Sequence, residues 1–373
     1  MPLSERATRK QRIDQALIQA GWGPILAFEP RASYAHGAVA EYPTQNGPAD
    51  YLLFAGSQPL AIVEAKKLAV GPQNVLKQAQ RYALGLANSP FQFNGYRVPF
   101  IYSTNGEIIW FQDLRDPHSR SRQVAAFHTP AALQEMLEKG EPGAQAWLLE
   151  HPINHPWLRP YQKEAIRAVE KAVLSGKRTM LVAMATGTGK TVTAIDLIYR
   201  LMKSGYARRI LFLVDRRALA AQAVTAFANF EAEPGLKFDR IYEVYSQRFR
   251  PEDLEDDKFD PKVLPSSYLT NPDLSHAFVY VSTIQRMRIN LFGAPEGSPW
   301  GVDAEEELDA ARLDIPIHSF DLIIADECHR RYTSAEESKW RAEMDHFDRI
   351  KVGLTATPAA HTAAYFHDIV YRY

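Results

Sequence analysis

Met184-Ala185-Thr186-Gly187-Thr188-Gly189-Lys190-Thr191 lies between an apolar run at 179–183 and a stretch of helical spacing at 191–202. That strand–turn–helix setting decides the fold of the longer part of the chain. Glycines in such a turn let backbone N–H groups wrap phosphate oxygens, and the helix start behind them adds positive potential. Thr186, Gly187, Thr188 and Gly189 form the loop. Lys190 is placed to reach the outer phosphates, and the Thr191 hydroxyl to ligate Mg²⁺. The strict pattern asks for glycine where this chain has Met184, so the loop needs support from elsewhere in the sequence.

Asp326-Glu327-Cys328-His329 supplies it. It follows Phe320-Asp321-Leu322-Ile323-Ile324-Ala325, a buried-strand pattern that puts the acids at the strand's carboxyl end, where open α/β sheets bind ligands. Asp326 is the candidate Mg²⁺ ligand and Glu327 the candidate base that orients water. Further apolar runs at 210–214, 278–281 and 352–354 alternate with helical stretches at 161–174 and 218–230. Short apolar strands separated by helices predict a parallel sheet covered on both faces, a RecA-like P-loop fold. Two stretches break this rhythm, 249–275 (acidic, with prolines) and 292–316 (Gly/Pro-rich, then acidic), and read as surface insertions.

A second constellation lies upstream, Asp50…Glu64-Ala65-Lys66. Strand-like runs at 51–54 and 60–65 flank Gly56-Ser57-Gln58. A turn centred on Ser57 puts position 50 opposite position 64, with Cβ atoms roughly 5 Å apart. Two carboxylates so close repel unless a cation intervenes, and Lys66 shares the face of Glu64. Two acids and a lysine can clamp a metal and hold a phosphate. Gln78 and Tyr82 follow at i, i+4 on the next helical stretch, 74–86. With further strands at 100–102 and 108–111, the first 150 residues predict a small α/β domain with a mixed sheet. A linker at about 140–157 leads into the second domain.

Composition sets the outer limits. The chain has 373 residues, 46% hydrophobic and 23% charged, with a formal net charge of −1. Two domains fit that length, and nucleic-acid contact would have to come from local basic pairs such as Arg208-Arg209, Arg216-Arg217 and Arg330-Arg331. One cysteine, Cys328, rules out an internal disulfide. No secretory leader or membrane-length apolar run is visible, so a cytoplasmic location and no membrane partner are expected.

Residues 158–373 resemble the first motor domain of a superfamily 2 helicase or translocase of the DEAD/DEAH type, in its DECH form. The resemblance implies that Gln162, in Leu158-Arg159-Pro160-Tyr161-Gln162, reads adenine. It places Arg216, Arg217 and Thr283 on the DNA backbone, and His329, Thr355 and Thr357 in the coupling of hydrolysis to movement. The upstream residues, with Ser103-Thr104-Asn105-Gly106, resemble the nuclease domain of type I restriction enzyme motor (R) subunits, and an upstream acid, Asp14, is the expected addition. That resemblance implies ATP and Mg²⁺ as cofactors, and double-stranded DNA, methyltransferase and specificity subunits as partners. It also implies translocation coupled to cleavage, with Asp50, Glu64, Lys66, Gln78, Tyr82 and Glu327 in catalysis. A second RecA-like domain is not visible, so slow or absent ATP hydrolysis is expected of this fragment alone. Two other readings fit the same motifs: a stand-alone helicase–nuclease of DNA repair or phage defence, and an ATP-dependent DNA-binding switch with a non-cutting first domain.

Overall fold

The computed structural model describes residues 8–66, 76–117, 119–138, 141–249, 261–294, 309–326 and 334–373. The chain divides into two units, Met1–Lys139 and Gly140–Tyr373. The segment expected as a linker is instead a helix over Glu141–Glu150. Its Leu148 is buried in the core of the second unit, so burial of an apolar side chain overrides the turn signals of Pro142 and Gly143.

The first unit is built on one seven-stranded sheet: β1 (Ile25–Ala27), β2 (Gly37–Thr44), β3 (Gly47–Ala55), β4 (Gln58–Ala65), β5 (Phe100–Thr104), β6 (Ile109–Asp113) and β7 (Arg122–Val124) lie in sequence order. The β1–β2 and β4–β5 pairs are parallel and the rest antiparallel, which makes the sheet mixed as expected. The helix Leu76–Leu84 buries Leu76, Ala79 and Ala83 on it, against Leu52, Ile62 and Ile101. The tip of the β3–β4 hairpin differs from the simple expectation. Gly56 and Ser57, with φ of 57° and 64°, make a two-residue turn of the kind that matches strand twist. Its register pairs Ala55 with Gln58, and one extra residue then shifts the pairing to Leu53–Ala61 and Tyr51–Val63. The bulge restores the alignment that a turn centred on Ser57 would give.

The second unit contains an eight-stranded, all-parallel sheet. In chain order its strands are β8 (Thr179–Ala183), β9 (Arg209–Val214), β12 (Glu243–Ser246), β13 (Lys262–Val263), β14 (Phe278–Thr283), β15 (Leu322–Ala325), β16 (Ile350–Thr355) and β17 (Ile369–Arg372). A small separate hairpin supplies β10 (Glu231–Glu233) and β11 (Leu236–Lys237). Across the sheet the order is β13-β12-β14-β9-β15-β16-β8-β17. Leu181, Phe212, Val279, Ile324 and Val352 are fully buried, as both-sided cover of a parallel sheet requires.

The amino-terminal rim of this sheet is stapled by ion pairs. Arg209, at the start of β9, is fully buried and pairs with Asp321 just ahead of β15 at 3.1 Å. Asp321 also accepts from the backbone N–H groups of Arg208 and Arg209. Arg178 pairs with Asp348 at 2.9 Å, ahead of β8 and β16. Arg209 is therefore no candidate for nucleic-acid contact: its charge is consumed in the core.

Candidate active sites

The strand order brings the second unit's motifs to one rim. β16 lies between β8 and β15, so Thr355 ends between the phosphate loop that follows β8 and Asp326 that follows β15. The N–H of Met184 donates to the carbonyl of Thr355 at 2.8 Å, and the N–H of Asp326 to that of Leu213 at 2.8 Å. Met184 is fully buried in the sheet's core. That accounts for the absence of glycine there: the position directly follows β8 and its side chain enters the core.

Gly187 and Gly189 have φ of 78° and 80°, a backbone region only glycine enters freely, and Gly189 caps the helix Lys190–Lys203. The Thr188 hydroxyl donates to Ala185 O at 2.6 Å and closes the loop on itself. Thr186 and Gly187 are exposed, Thr191 half-buried and Lys190 buried. Gln162 is buried, and both ends of its amide are engaged. Its Nε2 donates to Thr188 O at 2.9 Å, and its Oε1 accepts from Arg159 N at 2.8 Å. Here Gln162 braces the loop from behind.

The residues expected along DNA divide. Arg216 is exposed, 71% of its side chain open to solvent, and its Nε lies 3.5 Å from Asp215 Oδ2. Arg217 is buried and donates to Arg248 O at 2.9 Å. Thr283 is buried, and its hydroxyl caps the helix Ile284–Phe292 by accepting from Arg286 N at 3.1 Å. Thr355 is buried and donates to Thr357 O at 3.2 Å, while Thr357 is exposed. Glu327 and His329 lie outside the described residues, as do Arg330 and Arg331.

In the first unit the β3–β4 register, continued one step beyond Tyr51–Val63, sets Asp50 against Glu64. Asp50 Oδ2 accepts from Ala65 N at 2.7 Å. Lys66 Nζ donates to Glu64 Oε1 at 2.7 Å. Glu64 is only 2% exposed, and its Oε2 has no hydrogen-bond partner among the described residues. Burial first, then the negative field of Asp50, pushes the Glu64 carboxyl up to about 7 despite Lys66. Gln78 Nε2 donates to the Tyr82 hydroxyl at 2.8 Å, the expected pair on one helix face. Among the described residues no group of three or more His, Cys, Asp or Glu is arranged to hold a metal.

Two neighbours of this site escape sequence reasoning. Arg9 donates to Asp50 Oδ1 at 3.1 Å and to Glu41, and it lies 4.9 Å over the Tyr51 ring. Glu41 stands opposite Asp50 in the β2–β3 register, with φ of 53°. Asp14 bonds the Tyr51 hydroxyl at 2.6 Å and braces the site through that ring. Only the pairing of β2 with β3, invisible in composition or spacing, brings Glu41 here. Ser103 and Thr104 end β5, and in the turn that follows Asn105 Oδ1 accepts from Glu107 N and Ile108 N.

The sequence pattern of the family described as Type III restriction enzyme, res subunit, matches residues 156–360. The chain belongs to that family. Its matched region contains the phosphate loop, Asp326 and Thr355. A second pattern, the Type I restriction enzyme EcoKI endonuclease subunit second domain, matches residues 29–137. The chain is 32% identical over 437 aligned residues to the Type I restriction enzyme EcoKI endonuclease subunit of Escherichia coli strain K12, covering 100% of this chain and 34% of the relative. It is 28% identical over 379 residues to the EcoAI endonuclease subunit of Escherichia coli, covering 96% and 40%. The chain thus spans between a third and two-fifths of the length of these relatives. Among solved structures, a nuclease-deletion mutant of the Type ISP restriction-modification enzyme LlaGI with a DNA substrate mimic superposes at a TM-score of 0.38 and 19% identity. That match covers 58% of this chain and 20% of LlaGI. Among the described residues no helix is long and apolar enough to cross a membrane.

Proposed function

We propose that this chain forms the cutting domain and the first motor domain of a type I restriction endonuclease subunit. The observation that carries the reading is the acidic cluster: strand register sets Asp50 against Glu64, with Lys66 on the same carboxylate, in a chain whose second unit folds around a phosphate loop. In this reading ATP drives movement along double-stranded DNA, and Mg²⁺-dependent cleavage follows. Methyltransferase and specificity subunits complete the assembly, and it works in the cytoplasm.

The donors suit Mg²⁺ at both places, because hard oxygens are its preferred ligands. In the second unit Thr191 and Asp326 would hold it beside the nucleotide phosphates. Lys190 neutralises phosphate charge from the helix start, and Glu327 orients the attacking water. In the first unit Asp50 and Glu64 Oε2, which has no hydrogen-bond partner among the described residues, would hold it. When bound, the ion supplies Lewis acidity toward the scissile phosphate. Lys66, 2.7 Å from Glu64, carries positive charge to where charge develops on that phosphate. Gln78 and Tyr82 hold each other in place for contact with the DNA strand. On the motor side Gln162 keeps the loop in shape, Arg216 meets DNA phosphates, and Arg217 and Thr283 support their segments from within. Thr355 and Thr357, with His329, link the nucleotide to the DNA track.

The test uses the full-length subunit in its assembly. Asp50→Ala and Lys66→Ala each abolish DNA cleavage and leave ATP-driven translocation intact, read on a plasmid substrate and a triplex-displacement track. Cleavage that survives both substitutions removes the nuclease assignment.

A further inference from the structure

We infer that Arg9 is an internal counter-ion for the acidic cluster, one that competes with a divalent cation for Asp50 and so sets the threshold at which the site loads. The inference rests on the reading of Asp50 and Glu64 as a metal-binding pair and adds to it a residue that opposes loading.

The two carboxylates are in opposite conditions. Glu64 presents a buried oxygen, Oε2, with no hydrogen-bond partner among the described residues. Asp50 has both oxygens engaged: Oδ2 by the N–H of Ala65 at 2.7 Å and Oδ1 by Arg9 at 3.1 Å. A cation that bridges the pair finds Glu64 waiting and Asp50 occupied. A guanidinium cannot share the oxygen gracefully, because it has donors only, keeps its charge at any working pH, and repels a second cation.

Arg9 is also held as a plug would be. Its Nη2 reaches Asp50 O at 3.3 Å, its Nε reaches the Tyr51 hydroxyl at 3.3 Å, and Glu41 takes Nη1 as well. The Tyr51 ring beneath it is fixed by Asp14. Arg9 and Lys66 already offset much of the charge of Asp50, Glu41 and Glu64, so a divalent cation entering beside Asp50 meets the positive charge of Arg9 directly. The residue sits in a five-residue π turn, Arg9–Ile13, a rare form that is frequent at functional sites. Glu41 offers it a second carboxylate to retain when Asp50 is released.

The experiment titrates the full-length subunit with Mn²⁺ alone, without DNA or nucleotide, by calorimetry, with Asp50→Ala defining which heat belongs to this site. Arg9→Gln is expected to tighten the Asp50-dependent dissociation constant about tenfold, the scale of one nearby unit charge at a half-buried site. It also lowers the melting temperature without metal and recovers it with Mn²⁺. Arg9→Lys keeps the charge but not the fork, shifts the constant two- to threefold in the same direction, and serves if Arg9→Gln does not fold. An Arg9 variant that is folded yet binds Mn²⁺ no more tightly than the wild type, with the heat still lost in Asp50→Ala, overturns the inference and leaves the metal pair standing. No Asp50-dependent heat in either the wild type or the variants overturns both.

Discussion

The two sites are made of different materials. The phosphate loop is a backbone site: eight consecutive residues, two glycines at positive φ, and a helix start, with Thr355 and Asp326 brought alongside by neighbouring strands. The acidic site is a side-chain site, with Arg9, Glu41, Asp50, Glu64 and Lys66 drawn from a helical turn and three strands and kept together by charge compensation. Backbone N–H groups in such a loop form a ready concavity for anions without bringing a charge of their own. A buried carboxylate pair costs free energy until a cation arrives. One site is ready before its ligand, and the other is held in check until it comes.

The largest expected effects separate the two. Lys190→Ala in the full-length subunit lowers ATP hydrolysis by two orders of magnitude or more, since a charge on the transferred phosphoryl is lost, and leaves Mn²⁺ binding at Asp50 unchanged. Steady-state phosphate release and calorimetry on the same preparation check this. A coupled loss of both would break the contrast.

Next in size is a substitution in the sheet that carries the backbone site. A Cβ at Gly353 would stand 2.5 Å from Phe366 and 2.8 Å from Leu181. Gly353→Val therefore overpacks β16 and costs roughly 2–3 kcal/mol, a melting-temperature drop of several degrees. The transition of the first unit should be untouched, which calorimetric deconvolution can show.

The acidic site gives a pH signature of opposite sense. The Glu64 carboxyl is raised from 4.5 to about 7, so the folded protein binds more protons than the unfolded chain between those values, and stability falls as pH rises across that window. Glu64→Gln removes this slope. In metal-free protein it raises the melting temperature at pH 8, where the buried charge of Glu64 is removed, and changes it little at pH 4. Divalent affinity should climb with pH up to about 7 and level off above it, as the proton on Glu64 ceases to compete. A flat titration would show that Glu64 is ionised throughout. Smallest of all is Arg216→Ala. It should weaken DNA binding only a few-fold and reduce the salt slope by about one, with ATP hydrolysis in the absence of DNA unchanged.

The same contrast explains what was legible beforehand. The loop Thr186–Thr191, the strand Leu322–Ala325 and the helices around them are contiguous in sequence, so apolar runs and glycine positions announce them. Asp50 and Glu64 were legible only through a hairpin register, which came out right because a two-residue turn and a bulge add up to the offset of a turn centred on Ser57. Arg9 and Glu41 were not legible, since a separate strand pairing and a distant helical turn bring them in. Burial misled where charge or polarity suggested surface. Arg209 and Arg217 are core residues, and Thr283 is a helix cap. The helix Glu141–Glu150 defeated its own turn residues for the same reason, an apolar side chain with a core to enter.

The stapled rim of the parallel sheet has a mechanical consequence. With Arg209–Asp321 and Arg178–Asp348 bolting the strand entrances, the sheet behaves as a row of beams anchored at one end. At the opposite ends the ties are backbone hydrogen bonds, such as Met184 N to Thr355 O at 2.8 Å and Ala185 N to Tyr373 O at 3.3 Å, so a push that a nucleotide delivers there is expected to move the tips before the anchors. Amides at the anchored ends should exchange with solvent only when the whole unit opens, and those at the tips far sooner. Stiffness and responsiveness are thereby assigned to opposite ends of the same four strands, β9, β15, β16 and β8.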